Sequence, residues 1–162
     1  MKTPHIVELA REKGVPVYQF EKIREHIEDF KAMNYDLAVT ASYGKILPKS
    51  FLDLKPCINV HPSMLPKYRG ATPIQSALLN GDTMTGVTIM KTEVGMDDGD
   101  IFVQKEVEIL PEDDYVSLLD KLANVGLDLL IETLHKIEDG NAVRTPQDDS
   151  KATFVKLIQK ED

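Results

Sequence analysis

Two polar side chains set two residues apart at the end of an apolar run carry the strongest chemical signal in this sequence. Cys57-Ile58-Asn59-Val60-His61 reads as a short buried strand, which Pro62 breaks. Residues i and i+2 of a strand share a face, so the Asn59 carboxamide and the His61 imidazole project side by side. Such a pair can polarise a carbonyl, Asn59 donating through its NH2 group and His61 through a ring nitrogen. A histidine satisfied by the surrounding structure at a strand end fits the same residues.

A second signal is the loop Val94-Gly95-Met96-Asp97-Asp98-Gly99-Asp100, where carboxylates and glycines alternate between two apolar runs. Three readings stand: a divalent-cation site, a turn with solvated acids, or a carboxylate aimed at His61 that orients it and favours its charged form. The spacing does not follow the EF-hand pattern, and no metal-type histidine pair accompanies it. A third stretch, Ser63 to Gln75, is a proline-bounded loop running into a helix start, a place that favours electron-rich ligands. The single cysteine, Cys57, opens an apolar strand and reads as an inert buried thiol. His5, His26 and His135 sit in helical patterns, and no phosphate loop, GxGxxG, HExxH, CxxC or GxSxG is present.

The elements that must position these residues alternate between helix and strand. Helices are expected over 4–13, 20–33, 72–79 and 113–137, with Thr72 as an N-cap, Pro73 in the first turn and Gly81 and Gly140 as stops. Strands are expected over 15–18, 36–43, 57–61, 86–91 and 101–109. The run 36–43 lacks alternation, so it should be buried on both faces. The pattern implies an α/β fold with a mostly parallel sheet, and ligands in such sheets sit beyond the carboxyl ends of the strands. That directs attention to Tyr43-Gly44, Asn59 to His61, and the chain after Lys91. Residues 1–140 form the candidate catalytic domain, and 141–162 a polar, extended tail.

With 162 residues, 42% of them hydrophobic and 28% charged, the chain fits one domain with its own core. No apolar run approaches the roughly 18 residues of a membrane span, no signal segment follows Met1, and one cysteine suits a reducing compartment. A cytoplasmic protein without a membrane partner is expected. The net charge of −8 argues against strong nucleic-acid binding by this chain alone, although Lys45, Lys49, Lys67, Arg69 and Lys91 make its middle locally basic.

Against that background the longer motifs become informative. INVHPSMLPKYRGATPIQ at 58–75, NGD at 80–82, TGVTIM at 85–90 and VGMDDGD at 94–100 together resemble the folate-dependent formyltransferases. KGVPVYQ at 13–19, SYGKILP at 42–48 and ATFVKLIQKED at 152–162 extend the resemblance over nearly the whole chain. RGATPIQ, GVTIM and the terminal KED favour the methionyl-tRNA formyltransferase branch. The resemblance implies a Rossmann-like formyltransferase fold, with Asn59, His61 and Asp97 as the catalytic trio. It implies 10-formyltetrahydrofolate as formyl donor, no metal, and methionyl-tRNA as acceptor in translation initiation. The folate is expected against Tyr43, Gly44, Ile46 and Leu47 and against Ser63, Met64, Leu65 and Pro66. In this reading a protonated His61 joins Asn59 in stabilising the developing oxyanion.

Compared with the family's catalytic domain, the chain is expected to lack the N-terminal βα units, and to stop before a C-terminal domain that helps hold tRNA. A truncated fragment follows, with little tRNA formylation by itself. Its strand at 36–43 should present an open edge suited to self-association or pairing with another chain. Formyl transfer to a nucleotide-linked amino sugar, a non-catalytic folate-binding role and a metal-dependent hydrolase are the competing readings.

Overall fold

The computed structural model describes residues 4–158. Helix α1 (His5–Glu12) leads through an irregular stretch to α2 (Ile27–Ala32), strand β1 (Ala38–Ala41), α3 (Lys49–Leu52) and β2 (Cys57–His61). After these come β3 (Arg69–Gly70), α4 (Pro73–Leu79), β4 (Met84–Lys91), β5 (Ile101–Glu108), α5 (Tyr115–Glu138) and β6 (Phe154–Val155). The main sheet has the order β1-β2-β4-β5, and β3 and β6 form a separate two-stranded pair. Parallel pairing joins β1 to β2 and β3 to β6, while β4 joins β2 and β5 antiparallel.

Alternation along β2 divides its residues between two environments. Ile58 and Val60 face α5, where Val87, Ile89, Leu118, Leu122 and Leu129 complete the main core. Full burial of each such side chain contributes about 1.5–3 kcal/mol. Cys57 faces the other way, onto a smaller cluster with Leu47 and Phe51, and Asn59 and His61 share its side of the strand. The α5 helix starts where Asp114 accepts from the backbone N–H groups of Val116 and Ser117, and the Ser117 hydroxyl returns to the Asp114 N–H. That reciprocal cap fixes the helix against the sheet.

Several local expectations change. Residues 15–18 form no strand: Pro16 has no N–H to give, and Val15 and Tyr18 lie exposed. The helix expected over 20–33 reduces to a 3-10 turn at Ile23–Glu25 and α2, because His26 leaves helical geometry and Phe20 stacks on its ring, centroids 4.1 Å apart. Strand β1 is not buried on both faces; its side chains alternate, and Val39 is exposed. Its outer edge has no partner strand among the described residues. Thr72 stands at the N-cap position of α4 as expected, but its hydroxyl makes no capping bond and donates instead to the Lys156 carbonyl at 2.6 Å.

The segment after α5 is polar, yet it returns across the molecule. Thr145 bridges to Ile101, Thr153 accepts from the Tyr68 N–H at 2.8 Å, and β6 pairs with β3. Gly70 has φ +117, and a Cβ there would strike the Val155 carbonyl, so this close strand approach requires glycine. The terminal Lys160-Glu161-Asp162 lies outside the described residues. No helix of the described residues is long and apolar enough to cross a membrane.

Candidate active site

Asn59 is aligned with Thr40 of the neighbouring strand. The Thr40 hydroxyl donates to Asn59 Oδ1 at 2.9 Å, with the Ile58 carbonyl 3.3 Å away. Occupying the carboxamide oxygen assigns the amide orientation and leaves its NH2 group as the donor. Thr40 escaped the sequence reading, because only strand register brings it to Asn59, 19 residues along the chain.

His61 is buried, 3% exposed, and its Nε2 lies 2.9 Å from the Tyr68 carbonyl. A carbonyl can only accept, so Nε2 carries a proton and donates it. The other nitrogen, Nδ1, lies 3.7 Å from Asp97 Oδ2, just beyond hydrogen-bond length but close enough for strong electrostatic coupling. Burial pushes His61 below its ordinary pKa, while the Asp97 carboxylate and the Tyr68 contact oppose that shift without overcoming it. That direction favours the neutral ring near pH 7, with the proton on Nε2 and the lone pair on Nδ1. The direction runs against the protonated His61 that the resemblance implies, because burial outweighs the carboxylate.

Asp97 sits in the left-handed region at φ +49. Its carboxylate accepts from the Gly70 N–H at 2.8 Å, and its carbonyl accepts from Gln147 Nε2 at 2.8 Å. Gln147 also donates to the Gly99 carbonyl and accepts from the buried Arg69, whose Nη2 reaches Asp149 Oδ1 at 2.7 Å. Neither Arg69 nor Gln147 was legible as a site residue, since 50 residues separate Gln147 from the loop it holds. Asp97, 36 residues from His61 in sequence, is thus brought to it, as one of the three readings of the loop required. Among the described residues no three His, Cys, Asp or Glu side chains gather as metal ligands.

The residues expected against folate fall into two groups. Tyr43, Gly44 and Ile46 lie exposed beyond the carboxyl end of β1, Ile46 at 85%, whereas Leu47 is buried beside Phe51 and Cys57. Ser63 and Leu65 turn inward: Thr88 donates to the Ser63 carbonyl and accepts from the Leu65 N–H, and Gln104 donates to the Leu65 carbonyl. Met64 and Pro66 are half-buried between them. An open groove of about 650 Å³ lies beside this loop, lined by Lys67, the Tyr68 ring, Leu79, Asn80, Phe154 and Lys156, but by none of the trio.

Residues 5–134 match the family model described as formyl transferase. The chain belongs to that family. Formyltransferases of this family are folate-dependent enzymes that use formyl-tetrahydrofolate. A methionyl-tRNA formyltransferase of Kosmotoga olearia is 47% identical over 97% of this chain and 52% of its own length. A methionyl-tRNA formyltransferase of Dictyoglomus thermophilum is 46% identical, again over 97% of this chain and 52% of its own. The chain therefore spans about half the length of these curated relatives. A crystal structure of phosphoribosylglycinamide formyltransferase from Bacillus halodurans superposes with TM-score 0.75 at 30% identity, covering 83% of this chain and 76% of that one.

Proposed function

We propose that this formyltransferase site moves a formyl group from 10-formyltetrahydrofolate to the α-amine of methionyl-tRNA, a cytoplasmic step of translation initiation. The observation that carries the chemistry is the arrangement of donors and acceptors at the end of β2. Asn59 has its oxygen held by Thr40 and its NH2 group free, and His61 has Nε2 held by Tyr68 and Nδ1 facing Asp97. Support for the acceptor comes from the identity with methionyl-tRNA formyltransferases over 97% of the chain.

The donor supplies an electrophilic carbonyl carbon. A free α-amine has a pKa near 7.7–8, so about a tenth or more is neutral at pH 7 and nucleophilic. As the amine nitrogen bonds to that carbon, the carbonyl electron pair moves onto oxygen, where Asn59 Nδ2 donates to it. His61 Nδ1 accepts the proton shed by the amine nitrogen, which its neutral, Nε2-protonated form permits. The imidazolium so formed is flanked by the Tyr68 carbonyl and the Asp97 carboxylate, so its charge is compensated only when it appears. His61 then returns the proton to the departing folate nitrogen as the oxygen's electron pair re-forms the carbonyl. One N–C bond forms, one breaks, and no net proton is consumed. Tyr43 and Ile46, exposed beyond β1, offer apolar surface that suits the flat pterin.

The test uses formyl-labelled 10-formyltetrahydrofolate with protein in excess over donor, so that a single turnover reads chemistry apart from grip on tRNA. Label should pass to methionyl-tRNA at a low rate, in keeping with weak tRNA formylation by this chain alone, with chelator having no effect and His61→Ala suppressing it. Transfer only to a nucleotide-linked amino sugar would overturn the acceptor. Folate binding without transfer to any amine would overturn the catalytic reading.

A further inference from the structure

We propose that Gln147 is a positioning residue, whose carboxamide ties the backbone of the Asp97 loop to the buried Arg69 and thereby sets the Asp97 carboxylate against Nδ1 of His61. For catalysis this deepens the formyl-transfer reading; as a statement about geometry it stands on the following contacts. Gln147 Nε2 donates to the carbonyls of Asp97 and Gly99, both at 2.8 Å. Gln147 Oε1 accepts from Arg69 Nε at 3.0 Å and Nη2 at 2.8 Å. Two N–H hydrogens and two lone pairs are all that a carboxamide has, and all four are engaged. A carboxylate could keep the Arg69 side but would set oxygens against two carbonyls.

The loop needs such a tie. Residues 93–96 and Asp98 are exposed, so little packing holds them, and Asp97 occupies a backbone region that persists only when its surroundings impose it. The anchor on the other side is firm. Arg69 is 4% exposed and bound to Asp149, and it opens β3, whose Gly70 N–H donates to Asp97 Oδ2. Gln147 and Gly70 thus hold Asp97 at both ends, its carbonyl and its carboxylate. Asp97 is the ionisable group that acts on the His61 imidazole, and the remaining partner of that ring is the Tyr68 carbonyl. The neighbouring guanidinium of Arg69 is turned to Gln147 and Asp149.

The experiment is an NMR titration of the His61 ring in the full chain, which requires no substrate. The Asp97 carboxylate raises the proton affinity of His61, so Asp97→Asn fixes the size and sign of the effect when it is lost. Gln147→Met keeps length and volume but removes all four hydrogen bonds; the His61 midpoint should fall, in the same direction as for Asp97→Asn. In the Asp97→Asn background the same substitution should add nothing, the signature of action through Asp97. Gln147→Asn, too short to span Arg69 and both carbonyls, should also lower the midpoint, and decides the matter if the methionine variant fails to fold. An unmoved midpoint in a folded variant overturns the proposal, as does an equal fall in the Asp97→Asn background. Absence of formyl transfer with the midpoint moving as stated would sink the functional reading and leave this one intact.

Discussion

Replacing Thr40 by valine tests the orientation of Asn59 without touching the donor itself. The Thr40 hydroxyl has one proton, directed at Asn59 Oδ1 at 2.9 Å with a weaker alternative in the Ile58 carbonyl at 3.3 Å. Losing a half-buried bond of this kind costs about 0.5–1.5 kcal/mol net. The amide can then rotate and present its oxygen to the developing oxyanion, which repels it. Converted at about 1.4 kcal/mol per factor of ten, the penalty is roughly 2- to 12-fold in the rate of transfer. Removing the donor, as in Asn59→Ala, costs about 2.7–4 kcal/mol or 100- to 1000-fold. Single-turnover formyl transfer should therefore rank wild type and Thr40→Ser together, Thr40→Val below them and Asn59→Ala far below. In the Asn59→Ala background Thr40→Val should have no further effect. Thr40→Val matching either wild type or Asn59→Ala would refute the assignment.

Other perturbations follow from the same geometry. Gly70→Ala, at φ +117 and against the Val155 carbonyl, should lower the urea midpoint by an amount equivalent to at least about 1–3 kcal/mol; an unchanged midpoint contradicts the β3–β6 contact. Thr88→Val should destabilise by about 2–4 kcal/mol in thermal unfolding, because it leaves the Ser63 carbonyl and the Leu65 N–H without their buried partner. The folded-state pKa of His61 lies below its unfolded value near 6.5, so the unfolded chain binds more protons in the window between them. The stability His61 contributes is complete above that window and declines as pH falls through it; His61→Phe should flatten this part of the pH–stability curve. Burial raises the Cys57 thiol, so a thiol reagent at pH 8 should label the native chain slowly and the urea-unfolded chain fast.

What the sequence disclosed is what local pattern controls. The strand at 57–61, the long helix expected over 113–137 and the placing of Asn59 with His61 on one face all follow from alternation, periodicity and breaker residues within a few positions. The approach of Asp97 stood as one of three readings of an acidic loop, because spacing alone does not say which way a loop folds. Thr40, the Tyr68 carbonyl, Arg69 and Gln147 were not legible. The first depends on strand register, the second on a backbone group that every residue carries, and the last two on a polar segment returning across the chain. The direction of the His61 shift was not legible for a related reason. A neighbouring carboxylate is visible in sequence, but the burial that outweighs it is a property of the assembled fold.

The catalytic account stands on one bare nitrogen, and 15N chemical shifts of the His61 ring at pH 7 observe it directly. The predicted spectrum is that of a neutral imidazole, protonated at Nε2 and unprotonated at Nδ1. A proton on Nδ1, whether in the other tautomer or in an imidazolium, would contradict it.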